Sequence, residues 1–243
     1  MGEIRIAIAG VGNCASSLLQ GIQYYRENGN SLGLLHEKLG GYGIDDINVV
    51  AAFDIDVNKI GKDVSKAIYA KPNKAPRINE LEKTGIKVQM GPSPDIAGEI
   101  TMSEIKKADA ESVDVASVLK EARADVLVNL ISGGSDKASR LYAEAAMEAG
   151  CGFLNATPSG IVNALSVSSA FKKAGLPVVG DDLMSQMGAT AVHIGLLEFL
   201  DKRGVKIEKS YQLDVGGGGE SINTLEQTKE TKRIIKTDAV KKH

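Results

Sequence analysis

Short apolar runs alternate with stretches of helical period along most of the chain. Residues 4–9 form a compact apolar run ending at Gly10, the pattern of a buried parallel strand. Leu18, Leu19, Ile22 and Tyr25 then recur at helical spacing, which predicts a helix over 13–26. Residues 28–46 are rich in Gly and Asn and lack a clean period, so they read as an insertion with a short helical turn at 34–39. A second strand is expected at 48–53, closed by Asp54-Ile55-Asp56, and a short helix at 57–67. Residues 72–94 hold four of the six prolines and predict an irregular excursion with one strand near 86–90. The alternation then resumes: helix 112–123, strand 126–131, a turn at 132–134, helix 135–149, strand 152–155, helix 166–174 and strand 177–179.

Strands and helices in this order predict an α/β protein built on a doubly wound parallel sheet. The character changes after Gly180. A long helix is expected at 186–203, an alternating exposed strand at 206–215, a four-glycine loop at 216–219 and a basic, partly helical tail at 228–243. The chain therefore divides into a first domain, 1–182, interrupted by the insertion at 28–46, and part of a second α+β domain, 183–243.

Composition narrows the function classes. The 243 residues include 29 Lys and Arg against 31 Asp and Glu, so the near-neutral balance carries no electrostatic footprint for nucleic acid. Local basic patches remain compatible with a phosphorylated metabolite. Two cysteines, Cys14 and Cys151, are too few for a disulfide framework and read as reduced thiols, which suits the cytoplasm. The first residues lack a signal-peptide pattern, and Ile6 stands where a myristoylation motif needs Ser or Thr. No apolar run approaches the length of a membrane span. No Cys and His spacing suits a metal, and His36 and His193 read as structural.

The chemistry concentrates at strand ends. Gly10-Val11-Gly12-Asn13-Cys14-Ala15 fits G-x-G-x-x-A between a strand and a helix. The first glycine permits the tight turn, the second lets a diphosphate approach the backbone, and the small third residue lets helix pack on strand. The helix head then offers N–H groups and a positive dipole end. The plain alternative is a tight turn without a ligand. Asp54, ending the second strand, is placed to accept from the adenosine ribose hydroxyls and to repel a 2′-phosphate, which favours NAD over NADP. Its separation from Gly12 is longer than usual, and the insertion accounts for that. Asn129 to Gly134, Asn155 to Pro158 and Gly180 to Asp182 share the carboxyl edge where ligands gather in open α/β sheets. For these, ligand contact and simple helix capping are equally open.

Several segments, taken in order, resemble the myo-inositol-1-phosphate synthase family, its bacterial and archaeal branch above all. They are Gly10-Val-Gly-Asn-Cys-Ala-Ser-Ser17 with Gly21-Ile-Gln-Tyr-Tyr25, Phe53-Asp54-Ile-Asp56, Val128-Asn129 and Gly152-Phe-Leu-Asn155. They continue with Gly180-Asp-Asp-Leu183, Gly188-Ala-Thr190, Tyr211-Gln-Leu-Asp-Val-Gly-Gly217 and Lys232-Arg-Ile-Ile-Lys-Thr237. The resemblance implies a Rossmann-like NAD domain followed by a catalytic and oligomerisation domain. The implied activity is isomerisation of D-glucose 6-phosphate to 1D-myo-inositol 3-phosphate, by oxidation, enolisation, aldol closure and reduction, with NAD regenerated. A sugar phosphate is the implied small-molecule partner and a homotetramer the implied assembly, and the family implies a stimulating cation in some members, in which Asp182 could take part. From composition and spacing no nucleic acid, membrane or metal is expected.

Within that resemblance, cofactor contacts are expected from Gly10, Gly12, Asn13, Cys14, Ala15, Asp54, Ile55, Asn129, Ser132, Asp181 and Ser185. Substrate contacts are expected from Asn155, Asn223, Lys232 and Lys236. Lys232, Lys236 and Asp182 are the expected catalytic residues. The two lysines are spaced i, i+4 and share a face if helical; their plain alternative is a solvated basic tail. The pattern also departs from the family. Met184 stands where relatives have lysine, Gly218, Gly219 and Glu220 alter the glycine loop, and Leu130-Ile131-Ser132 differs after Val-Asn. Relatives continue past residue 243, so the second domain is expected to be incomplete. Two other readings follow: an NAD-dependent dehydrogenase on the same scaffold, and a catalytically impaired NAD-binding homologue.

Overall fold

A computed structural model describes residues 2–94, 105–183 and 188–213, with residues 237 and 240. In chain order the elements are β1 (Ile4–Ala9), α1 (Asn13–Asn28), a 3-10 turn (Ile44–Asp46), β2 (Ile47–Asp54), α2 (Val64–Ala67) and β3 (Val88–Met90). They continue with α3 (Val115–Glu121), β4 (Val126–Asn129), α4 (Asp136–Ala149), β5 (Gly152–Asn155), α5 (Leu165–Ala174), β6 (Val178–Val179) and α6 (Ala189–Asp201). The strands form one parallel sheet in the order β3-β2-β1-β4-β5-β6. This is the doubly wound arrangement expected, and its order reverses between β1 and β4, the place where such sheets open a ligand crevice.

Strand alternation sorts side chains into two cores, one on each face. Ala7, Ala9, Phe53, Leu127 and Phe153 pack with Leu119, Tyr142, Ala146 and Phe171 on one side. Ile8, Ala52 and Val88 pack with Val11, Ala15, Leu19, Ile22, Val64 and Ile68 on the other. Register is regular where it matters: Ala9 lies opposite Phe53 on β2 and Asn129 on β4, so the strand ends are level at the carboxyl edge. Gly29, Gly150 and Gly175 end α1, α4 and α5 in left-handed conformation, each returning its N–H to the preceding turn.

Four local expectations need correction. Residues 57–67 form turns followed by one helical turn, Val64–Ala67, because the amides of Val57, Gly61 and Val64 are taken by distant partners. Val57 N–H donates to Lys106 C=O and Gly61 N–H to Val88 C=O. In the insertion, the helical turn expected at 34–39 is replaced by a Leu39–Tyr42 bridge and the later 3-10 turn. β4 stops at Asn129, two residues early, since Leu130 already caps β1 through its N–H to Ala9 C=O. Residues 206–213 form no strand. They run back along α6, with Gln212 Nε2 donating to Thr190 Oγ1 and Ser210 paired with His193. The remainder of the expected strand, and the glycine loop at 216–219, lie outside the described residues.

Candidate functional site

The carboxyl edge of β1 carries the glycine turn. Gly10 has φ +88°, and a Cβ there would stand 2.8 Å from Ile131 N, so only glycine lets β1 turn against the end of β4. Its N–H donates to Phe53 C=O at 2.8 Å. Gly12 has a different task. It is the N-cap of α1 in extended conformation, no side chain caps the helix, and a Cβ at Gly12 would meet open space. Amides in the first turn have no intrahelical acceptor. No acidic side chain occupies that turn, so the positive dipole end is not neutralised from within. Ala15 is fully buried beneath, as close packing of helix on strand requires. These features fit a dinucleotide diphosphate laid across the head of α1.

Asn13 and Cys14 are exposed there. The Asn13 side-chain Oδ1 accepts from Lys74 N–H at 2.6 Å and Ala75 N–H at 2.9 Å. Asn73 Nδ2 donates to Val11 C=O at 3.0 Å and Ile68 C=O at 2.9 Å. Gln20, fully buried on α1, donates to Pro76 C=O and accepts from the Ile78 and Asn79 amides. The proline-rich excursion is thereby strapped along α1. Sequence reasoning missed Gln20 and Asn73. The available signal was a glutamine four residues after Ser16, on the helix face that also buries Leu19 and Ile22.

Asp54 stands at the end of β2, as expected, but much of its carboxylate is used at home. Oδ1 accepts from the Ile55 and Asp56 amides at 2.7 and 2.9 Å, and Oδ2 from Val11 N–H at 2.8 Å. Lys59 Nζ lies 3.3 Å from the same Oδ2, and the side chains are only 4% and 9% exposed for Lys59 and Asp54. Asp54 thus ties the glycine turn to β2, with Ile55 half-buried beside it. Asp56 is fully buried and caps the next turn through Asn58 N–H. Lys59 was the third residue missed; an ordinary charge in a turn gives no local sign of burial.

Across the switch point, β4 and β5 end in a buried amide circuit. Asn129 Nδ2 donates to Ser139 Oγ at 3.0 Å and to Asn155 Oδ1 at 2.8 Å. Asn155 Nδ2 donates to Ser159 C=O and to Asp181 Oδ1 at 2.8 and 2.7 Å. Asn129 and Asn155 are both fully buried. Ser132 is exposed in the turn before α4. Asp182 follows Asp181 with φ +68°, a left-handed backbone in a non-glycine residue. Lys232, Lys236, Asn223 and Ser185 lie outside the described residues. Cys151 is buried, and burial pushes its thiol up to about 11, which removes it from thiolate chemistry. Among the described residues no three His, Cys, Asp or Glu side chains group to hold a metal, and no helix is long and apolar enough to cross a membrane.

The chain is 47% identical over 243 residues to an inositol-3-phosphate synthase of Mycolicibacterium smegmatis, covering 98% of this chain and 67% of that one. The chain belongs to the myo-inositol-1-phosphate synthase family. The model of that family, described as myo-inositol-1-phosphate synthase, matches residues 188–243. In three dimensions the chain is similar to a protein solved as Ari2, with TM-score 0.77 and 34% identity, over 93% of this chain and 68% of the other. A myo-inositol-1-phosphate synthase-related protein from Thermotoga maritima shares the fold, with TM-score 0.70 and 21% identity over 95% and 68% of the two chains. The chain spans about two thirds of the length of the curated synthases it matches.

Proposed function

We propose that this synthase-family chain serves the NAD-dependent isomerisation of D-glucose 6-phosphate to 1D-myo-inositol 3-phosphate. The observation that carries the reading is the uncapped, acid-free head of α1 at the switch point, in a chain 47% identical to a named inositol-3-phosphate synthase. When bound, NAD supplies a hydride acceptor at the start and a hydride donor at the end, so the net reaction is not a redox change. The chain's own part is to hold the diphosphate on the Gly12 amide and the first turn of α1. Asp182 stands near the reacting edge, and Lys232 and Lys236 provide the ammonium groups that developing oxyanions and a phosphate require. Assembly as a homotetramer and residence in the cytoplasm belong to the same reading.

Incubation of the purified chain with NAD and glucose 6-phosphate tests it. Inositol phosphate formed without net NADH is the expected result. NADH accumulating with oxidised sugar would support a dehydrogenase instead. NAD bound without turnover would support the impaired homologue, a reading favoured by Met184 in place of the family's lysine.

A further inference from the structure

Asp181 spends its whole carboxylate inside the protein. Oδ1 accepts from Asn155 Nδ2 at 2.7 Å and from Val162 N–H at 2.8 Å. Oδ2 accepts from Asn163 N–H and from Asn163 Nδ2, both at 3.0 Å. An ionised carboxylate offers about four acceptor sites, and all are filled. Asn155 is committed in the same way: Oδ1 accepts from Asn129, and Nδ2 also donates to the Thr157 and Ser159 carbonyls. Asp181 has no acceptor site left for a ribose, an amide or a sugar hydroxyl, and the Asn155 amide hydrogens are both taken. The backbone agrees with this closure. A Cβ at Gly180 would lie 2.9 Å from both Cβ and the carbonyl oxygen of Asn155 and 3.0 Å from Val162 Cγ2, so the turn after β6 is pressed onto β5 and its loop.

We propose that Asp181, with Asn155, is a positioning residue. The pair clamps the turn at 180–183 to the loop at 157–163 and so fixes where Asp182 stands at the reacting edge. This rests on the function proposed above for its consequence in turnover, but the clamp itself is a property of the fold. Charge-assisted bonds to backbone amides hold such a turn more firmly than neutral ones. They also hold Asp182 in its left-handed conformation, which is otherwise unfavourable for a residue with a Cβ.

The test is Asp181→Asn in the 243-residue chain, with Asn163→Ala as a milder variant that removes one of the four bonds and retains the fold. Hydrogen–deuterium exchange is read at both segments, alongside NAD affinity and the separate values of kcat and KM. The clamp predicts faster exchange at 157–163 and 180–183 together, by about tenfold or more in Asp181→Asn. It predicts kcat lower by about 100-fold with the KM for NAD within about threefold, as a misplaced reacting group gives. Asn163→Ala shows the same signature, smaller in size. Exchange unchanged in either segment overturns the clamp. So does NAD affinity lost tenfold or more with exchange at 157–163 intact, the mark of a direct cofactor contact. If the wild-type chain does not turn over glucose 6-phosphate, the functional reading fails while exchange and NAD affinity still decide the clamp.

Discussion

At the β1–β2 end of the sheet the head of α1 carries no side-chain cap and no acidic residue, whereas at the β4–β6 end side chains close on one another. Around the glycine turn, polar side chains face away from the helix head: Asn13 and Gln20 hold the excursion and Asp54 holds Val11 N–H. The amides at the start of α1 are left without a side-chain cap. Around Asn155 and Asp181 the polar groups bond to one another out of water, where each missing bond would be costly, while the buried Asn129 Oδ1 has no partner among the described residues. The contrast separates two kinds of polar group at one sheet edge. Those with spare capacity suit a ligand, and those without it set the shape of the site.

Four variants test that separation, ordered by the expected loss of stability. Asn129→Ala opens a gap in the circuit and strands Asn155 Oδ1 and Ser139 Oγ without donors; thermal or denaturant unfolding should show a loss of about 4 kcal/mol. Lys59→Met leaves the nearly buried Asp54 charge with backbone donors alone, and unfolding should register about 3 kcal/mol. If both losses fall below about 1 kcal/mol, the buried polar groups are not what holds this edge.

Asp63→Ala probes the outer margin of the glycine wing. The Asp63 carboxylate caps α2 through Ser65 N–H and accepts from Thr84 Oγ1 and Gly85 N–H. Burial acts to raise this carboxyl, but the hydrogen bonds from Ser65 and Thr84 outweigh it and hold the group well below the usual carboxylate range. A lowered native pKa means the contribution is complete above the ordinary Asp value near pH ~4 and fades as pH falls further. The variant should cost about 2 kcal/mol at neutral pH. The gap from wild type in melting temperature should close progressively below about pH 4. A gap that is constant with pH would contradict the assignment. Gly12→Ala should change stability least, by about 0.5 kcal/mol or less, because its backbone suits alanine and its Cβ meets nothing.

The repeating layers of the fold were legible because they are local. β1, β2, β5, α1 and α4 each carry an apolar period, and glycines after β1, α1 and α4 announce the turns. What the pattern concealed was long-range pairing. Residues 57–63 have the composition of a helix, yet the Val57 and Gly61 amides go to Lys106 and Val88, partners far along the chain. Residues 206–213 alternate like a strand, yet their polar side chains meet α6. At the site, the glycine turn was visible from spacing alone. The roles of Asn13, Lys59, Gln20 and Asp181 were not, since each depends on a neighbour brought in by tertiary folding. A polar residue at a strand end looks the same in sequence whether it is open to a ligand or already saturated.

The most direct test of the central claim is a calorimetric titration of NAD into the wild-type chain and into Gly12→Ala. An uncapped α1 head that cradles the diphosphate predicts saturable binding to wild type. In the variant, affinity should fall by about tenfold or more at an unchanged melting temperature, because a methyl group then occupies the approach to the amides. Equal affinity in the two proteins would contradict it.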